Sequence, residues 1–169
     1  MALISKLENI GNAIREKTGK TELLTLEQMP AEIAAIETGG GDYPEYWFSF
    51  SDSAQYASTS NNIYIPCEGV NTVTFKYDFS RGNYAFPVSI SAYKGYYPTG
   101  LSGGSISWGQ ETGSKSETIV SSMNTAATGK EVTLDVSAFS HLRLYIYFGS
   151  NSTTYSKSSA VHIYDIKFN

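Results

Sequence analysis

A chain of 169 residues, 41% hydrophobic and 17% charged, has room for one substantial core and an appendage, and its 14% aromatic content belongs to a folded rather than a disordered chain. A net charge of -4 without any run of lysine or arginine offers no electrostatic footprint to a phosphate backbone, so nucleic acid is not an expected partner. Cys67 is the single cysteine, which excludes an intrachain disulfide, and the N-terminus lacks an apolar run long enough for a signal-peptide core or a membrane span.

Leu3, Leu7, Ile10 and Ile14 recur at steps of four, three and four, which places them on one stripe of a helix that Thr18 and Gly19 terminate. Thr25 suits an N-cap, with Gln28 three residues on, and Leu26, Met29, Ile33 and Ile36 repeat the seam through a second helix in which Pro30 can introduce a kink. Each seam spans about two heptads, and helices shorter than roughly 12 to 15 residues are marginal alone in water, so these stripes require a partner. Residues 1–38 are expected to form a helical attachment or oligomerisation segment. Gly39, Gly40 and Gly41 open a flexible linker over 39–45.

All 13 Tyr, 8 Phe and 2 Trp fall after this joint. Nine short β-runs follow, at 46–50, 62–66, 73–79, 86–93, 105–108, 117–123, 131–136, 142–148 and 160–168, bounded by Gly, Ser, Asn and Pro clusters. Val73, Phe75, Tyr77 and Phe79 alternate with Thr74, Lys76 and Asp78, so one face is buried and the other wet. In the last run the same alternation puts Val161, Ile163, Asp165 and Lys167 on one side and His162, Tyr164, Ile166 and Phe168 on the other. Without long helical periods between the runs, parallel βαβ units are not expected. Residues 46–169 therefore read as a mainly β domain, an antiparallel β-sandwich of jelly-roll type, preceded by a short two-helix segment.

Catalytic reagents are scarce. His141 and His162 fall in or beside strands and read as structural, Cys67 reads as inert packing, and the spacings of hydrolase, metalloprotease, phosphate-binding and zinc motifs are missing. No enzyme, cofactor or metal is expected. The stronger signal is aromatic residues among loop-forming residues. Tyr96, Tyr97 and Trp108 flank a Gly/Ser-rich stretch, Tyr84 stands beside Arg81 and Asn83, and Tyr155 lies among hydroxyls. Sugar rings stack apolar C–H faces on aromatic rings while their hydroxyls bond to Asn, Arg, Ser and Thr, so these seven residues are the candidate ligand-binding set.

The ordered motifs AIREKTG, LTLEQMP and EIAAI within LENIGNAIREKTGKTELLTLEQMPAEIAAI resemble an N-terminal module recurrent in structural proteins of phages and prophages of Gram-positive hosts. In such proteins the module precedes a variable β domain in tail-fibre, baseplate or receptor-binding components. VTLDVSAFSHLRLYIYF followed by AVHIYDIKF resembles jelly-roll carbohydrate-binding modules. Together these imply a virion protein assembled in the bacterial host cytoplasm. It would be attached to other virion proteins through Leu3, Leu7, Ile10, Ile14, Leu26, Met29, Ile33 and Ile36, with a trimer favoured among homo-oligomers, and would display a sandwich toward host-surface polysaccharide. The alternatives are an architectural capsid or baseplate subunit that binds no glycan, and a depolymerase using two of the carboxylates.

Overall fold

The computed structural model describes residues 3–18, 21–29 and 43–169, with helix side chains from residue 6 to residue 16. Two compact units divide the chain, Met1–Thr38 and Gly39–Asn169.

In the first unit, α1 spans Leu3–Thr18. Its covered stripe keeps two expected members, Ile14 buried and Leu7 half-buried, but Gly11 is buried in place of Ile10, which is 48% exposed. The cause is Gly11. Its missing side chain admits Met29, whose Cε lies 3.0 Å from where a Cβ on Gly11 would stand, so the groove centres one residue beyond Ile10. The expected cap at Thr25 forms reciprocally, its N–H donating to Gln28 Oε1 (2.9 Å) while Gln28 N–H donates to Thr25 Oγ1 (3.3 Å). The described residues nonetheless hold one helix rather than two. Residues 26–28 make a hydrogen-bonded turn, Leu26 is 58% exposed, and the rest of the second stripe, Ile33 and Ile36 included, lies outside the described residues, as does the Leu3 side chain. The glycine joint at 39–41 is outside them too.

The second unit is built from eight strands: β1 (Tyr46–Asp52), β2 (Thr59–Pro66), β3 (Thr72–Arg81), β4 (Val88–Ser102), β5 (Ser105–Met123), β6 (Ala127–Asp135), β7 (His141–Phe148) and β8 (Lys157–Phe168). They form two four-stranded antiparallel sheets, ordered β1-β8-β3-β6 and β2-β7-β4-β5. The core between the sheets is a run of fully buried aromatic and aliphatic residues, among them Phe75, Phe79, Phe86, Phe148, Ile63, Leu142, Leu144 and Ile146. Burying each such side chain contributes about 1.5–3 kcal/mol, which sets one face of every core strand firmly inward.

Two departures from the sequence pattern have local causes. The runs at 105–108 and 117–123 belong to one strand, because β4 and β5 form a long hairpin whose polar middle, GQETGSKS, pairs as backbone without any core to impose alternation. In β8 the inward face switches: Val161 and Ile163 are buried, and then so are Ile166 and Phe168, while Asp165 turns outward. A bulge opposite Thr74–Lys76 inserts the extra residue, with Asp165 at φ 53° and its carboxylate 2.7 Å from Lys76 Nζ.

Both ends of this unit are tied in. Tyr43, ahead of β1, packs its ring 4.7 Å from that of Phe168. Lys157 is fully buried, its ammonium donating to the carbonyls of Ala54 (2.9 Å) and Thr153 (2.6 Å) over the Phe86 ring, which joins two loops to the sheet.

Candidate functional site

The core decides the site by default. In β7, Leu142, Leu144, Ile146 and Phe148 point inward, so His141, Arg143, Tyr145 and Tyr147 line the outer surface of the β2-β7-β4-β5 sheet. Across the ladder Asn62 stands opposite Tyr145, Tyr64 opposite Arg143, and Tyr93 opposite Arg143 from β4. Arg143 is the hub. Its guanidinium carbon lies 4.3 Å from the centre of the Trp108 ring, 4.9 Å from Tyr93 and 5.1 Å from Tyr145, and its Nε donates to Asn62 Oδ1 at 2.7 Å. Burial pulls its pKa below the ordinary arginine value, against which the neighbouring tyrosines act.

Around this hub the rings extend in both directions. Tyr93 meets Tyr145 and Tyr96 edge to face at 6.1 and 5.2 Å, and Tyr145 and Tyr147 are stacked at 6.3 Å. On the other side His141 accepts or donates a 2.7 Å hydrogen bond with the Tyr64 hydroxyl, sits 5.0 Å from the Tyr97 ring, and has its Nε2 3.6 Å from Glu111 Oε1. Glu111 also accepts from the Ser140 N–H at 3.1 Å. Glycine makes this packing feasible: a Cβ on Gly109 would stand 2.6 Å from the Tyr97 ring, and one on Gly95, at φ 78°, would meet Phe139 at 3.0 Å.

The seven sequence-predicted residues fall into two groups. Tyr96, Tyr97 and Trp108 belong to the face just described, and they lie within β4 and β5 rather than in loops, because the hairpin outruns the sheet and its Gly/Ser-rich composition imitates a loop. Arg81, Asn83, Tyr84 and Tyr155 lie elsewhere, where β3 ends and β8 begins. Tyr84 and Tyr155 stack at 5.0 Å and 13° while 43% and 63% exposed, and Arg81 Nη1 donates to Asn124 O at 2.7 Å. Arg143, Tyr93, Tyr145, Tyr147, Tyr64 and His141 were missed. Their signal was present in LRLYIYF, where the positions between the apolar residues carry aromatics and arginine instead of the short polar residues of a merely wet face.

Reactive groups are held in quiet settings. Cys67 is 1% exposed, burial and then the Glu111 charge push its thiol up to about 11, and its Sγ points at Phe139 O. Asp135 accepts hydrogen bonds from Ser137 N–H and Oγ, which holds its carboxyl below the ordinary range and closes a turn. Among the described residues, no three His, Cys, Asp or Glu side chains converge as metal ligands would.

No protein-family model matches the sequence, and no curated protein matches it significantly. Among solved structures, a periplasmic inhibitor of g-type lysozyme from Aeromonas hydrophila is similar at a TM-score of 0.35 and 8% identity, over 76% of this chain and 89% of that one. A carbohydrate-binding module of the β-sandwich superfamily is similar at 0.34 and 10%, over 78% and 58%. The decameric BFDV capsid protein is similar at 0.28 and 10%, over 74% and 96%.

Proposed function

We propose that this chain is a non-catalytic structural protein of a phage virion whose sandwich binds host-surface carbohydrate through the outer face of the β2-β7-β4-β5 sheet. The observation that carries the binding role is the half-desolvated Arg143 ringed by Trp108, Tyr93 and Tyr145. Aromatic rings supply surfaces for the apolar faces of a sugar, and a guanidinium fixed by Asn62 retains donors for its hydroxyls. The strand order β1-β8-β3-β6 over β2-β7-β4-β5 is that of a chain rolled up as one long hairpin, the jelly-roll arrangement, which carries such faces on rigid strands.

The virion assignment draws on the phage-module pattern over residues 7–36 and on the apolar groove formed by Leu7, Gly11, Leu23, Leu24 and Met29, a surface of the kind that docks on another protein. Attachment to other virion proteins, trimerisation and assembly in the bacterial host cytoplasm complete the proposal. Weak single sites would then be multiplied by copy number.

The experiment is a glycan array loaded with Gram-positive wall polysaccharides, probed with the full chain and with Trp108→Ala. The proposal expects retention of the wild type and at least a tenfold loss in the variant. A blank array for the wild type overturns it.

One feature favours a second reading, an architectural subunit without glycan binding. Leu101 and Ile106, paired at the tip of the β4–β5 hairpin, are 73% and 45% exposed, as expected of a contact between subunits. Burial of this tip in the assembled particle together with a blank array would establish that reading.

A further inference from the structure

The opposite sheet presents a different surface. Across β1, β8 and β3 the outward residues line up in register as Trp47, His162 and Asp78, then Ser49, Ala160 and Ser80, with Ser51 and Ser158 beyond. Trp47 is 68% exposed yet fixed: its ring stacks on His162 at 3.7 Å and 11°, and His162 in turn stacks on Tyr164 at 4.4 Å and 17°. Two near-parallel partners this close must occupy opposite faces of the imidazole. Glu45 Oε2 holds His162 Nε2 at 3.0 Å, and Asp78, 3.7 Å from Nδ1, is itself anchored by Gly129 N–H (2.7 Å) and the Tyr164 hydroxyl (3.2 Å).

At the foot of this stack lies a depression of about 310 Å³ walled by Trp47, His162, Asp78 and Thr128. A second, of about 290 Å³, continues from it over the shared Ser80 and Ala160 to Arg81. Four residues at a rise of about 3.3 Å separate Trp47 from Ser51, so the trough is about 13 Å long. Its far end is walled by Arg81 and Ser158, and the Ser158 N–H donates to Tyr84 O at 3.0 Å.

The chemistry of this trough selects among ligands. The backbone of β8 at its centre is committed on both sides to the β1 and β3 ladders, so a ligand lying in the trough meets side chains rather than free main-chain groups. Arg81 at one end and Asp78 at the other oppose each other in charge, so the trough as a whole does not select an ion of either sign. What is offered is one free indole face and the hydroxyls of Ser49, Ser80 and Ser158, which among the described residues have no protein partner, and that combination suits a polyol with apolar ring faces. We infer that the sandwich carries a second saccharide-binding trough, from Trp47 to Arg81 and Ser158, on the sheet opposite the Arg143 face. It stands independently of the first face, and it makes one domain bivalent toward a polysaccharide.

The chain has two tryptophans, one on each face, so each site has its own reporter. The test is nuclear magnetic resonance of the two indole N–H signals in the ¹⁵N-labelled full chain, assigned with Trp47→Phe and Trp108→Phe. The probes are xylotetraose, cellotetraose, chitotetraose and oligosaccharides hydrolysed from Gram-positive wall polysaccharide. The expected result is a saturable shift of the Trp47 signal that persists in Trp108→Ala and weakens at least fivefold in Ser80→Leu, which fills the floor of the trough. A Trp47 signal unmoved by every probe while Trp108 responds overturns the second trough and leaves the first face standing. Movement of Trp47 alone retains the trough and counts against the first face. Silence at both overturns both.

Discussion

The two outer surfaces of one sandwich solve the same geometric problem in opposite ways. On the β2-β7-β4-β5 sheet the outward positions carry long rings that lean on each other around Arg143, each only half exposed. On the β1-β8-β3-β6 sheet they carry serines and alanine beside one short stack, His162 between Tyr164 and a 68% exposed Trp47. The first surface spends aromatic area on holding itself rigid, and the second leaves a hollow. The lesson is that the number of aromatic residues on a face measures its stiffness as much as its readiness to bind.

That contrast can be broken at its foundation. Phe79→Ala empties a fully buried position between the sheets and should cost about 3–5 kcal/mol in denaturant unfolding, with loss of order on both faces together. A loss confined to one face would mean that the sheets do not share a core.

Next in size, Arg143→Ala removes the hub and should lower stability by about 1–2 kcal/mol, since three desolvated ring contacts and the bond to Asn62 disappear. Trp47→Ala should stay within about 0.5 kcal/mol because its side chain is mostly in water. Equal costs in the two variants would erase the distinction between a self-braced face and an open one. Smaller again, Gly109→Ala sets a methyl 2.6 Å from the Tyr97 ring and must displace it from His141, visible as a shifted His141 ring resonance with the fold retained.

The smallest effect is electrostatic. The hydrogen bond from Lys76, joined by Lys167, holds Asp165 below the ordinary aspartate range. The folded value lies below the unfolded one, so this contribution is present above the unfolded pKa and is lost as pH falls through the folded one. The wild type should therefore lose stability faster than Asp165→Asn as pH drops below about 4, while the two run parallel at neutral pH. Parallel curves at acid pH as well would show that the bulge does not depend on the ion pair.

Sequence made the inward faces legible because burial enforces period two: the alternation through Val73–Phe79 survives intact in β3. Where no core enforces it, the pattern misleads. The β4–β5 ribbon reads as two strands and a loop, and the β8 bulge at Asp165 reverses a face that simple alternation extends to the terminus. The binding face was half legible. Trp108, Tyr96 and Tyr97 stand out beside Gly and Ser, but Arg143 and Tyr145 are hidden inside what looks like an ordinary core strand, and only the register across to Asn62 and Tyr93 brings them together. In the N-terminal unit, heptad spacing put Ile10 in the seam, whereas the void at Gly11 draws Met29 and shifts the groove.

The central claim, that the Arg143 face receives a saccharide, is tested most directly by hydroxyl-radical footprinting of the full chain with and without saturating Gram-positive wall polysaccharide, read out residue by residue. The account predicts protection of Trp108, Tyr97 and Tyr145, with the hairpin tip at Leu101 unchanged. Oxidation of those three rings at the same rate with polysaccharide bound would contradict it.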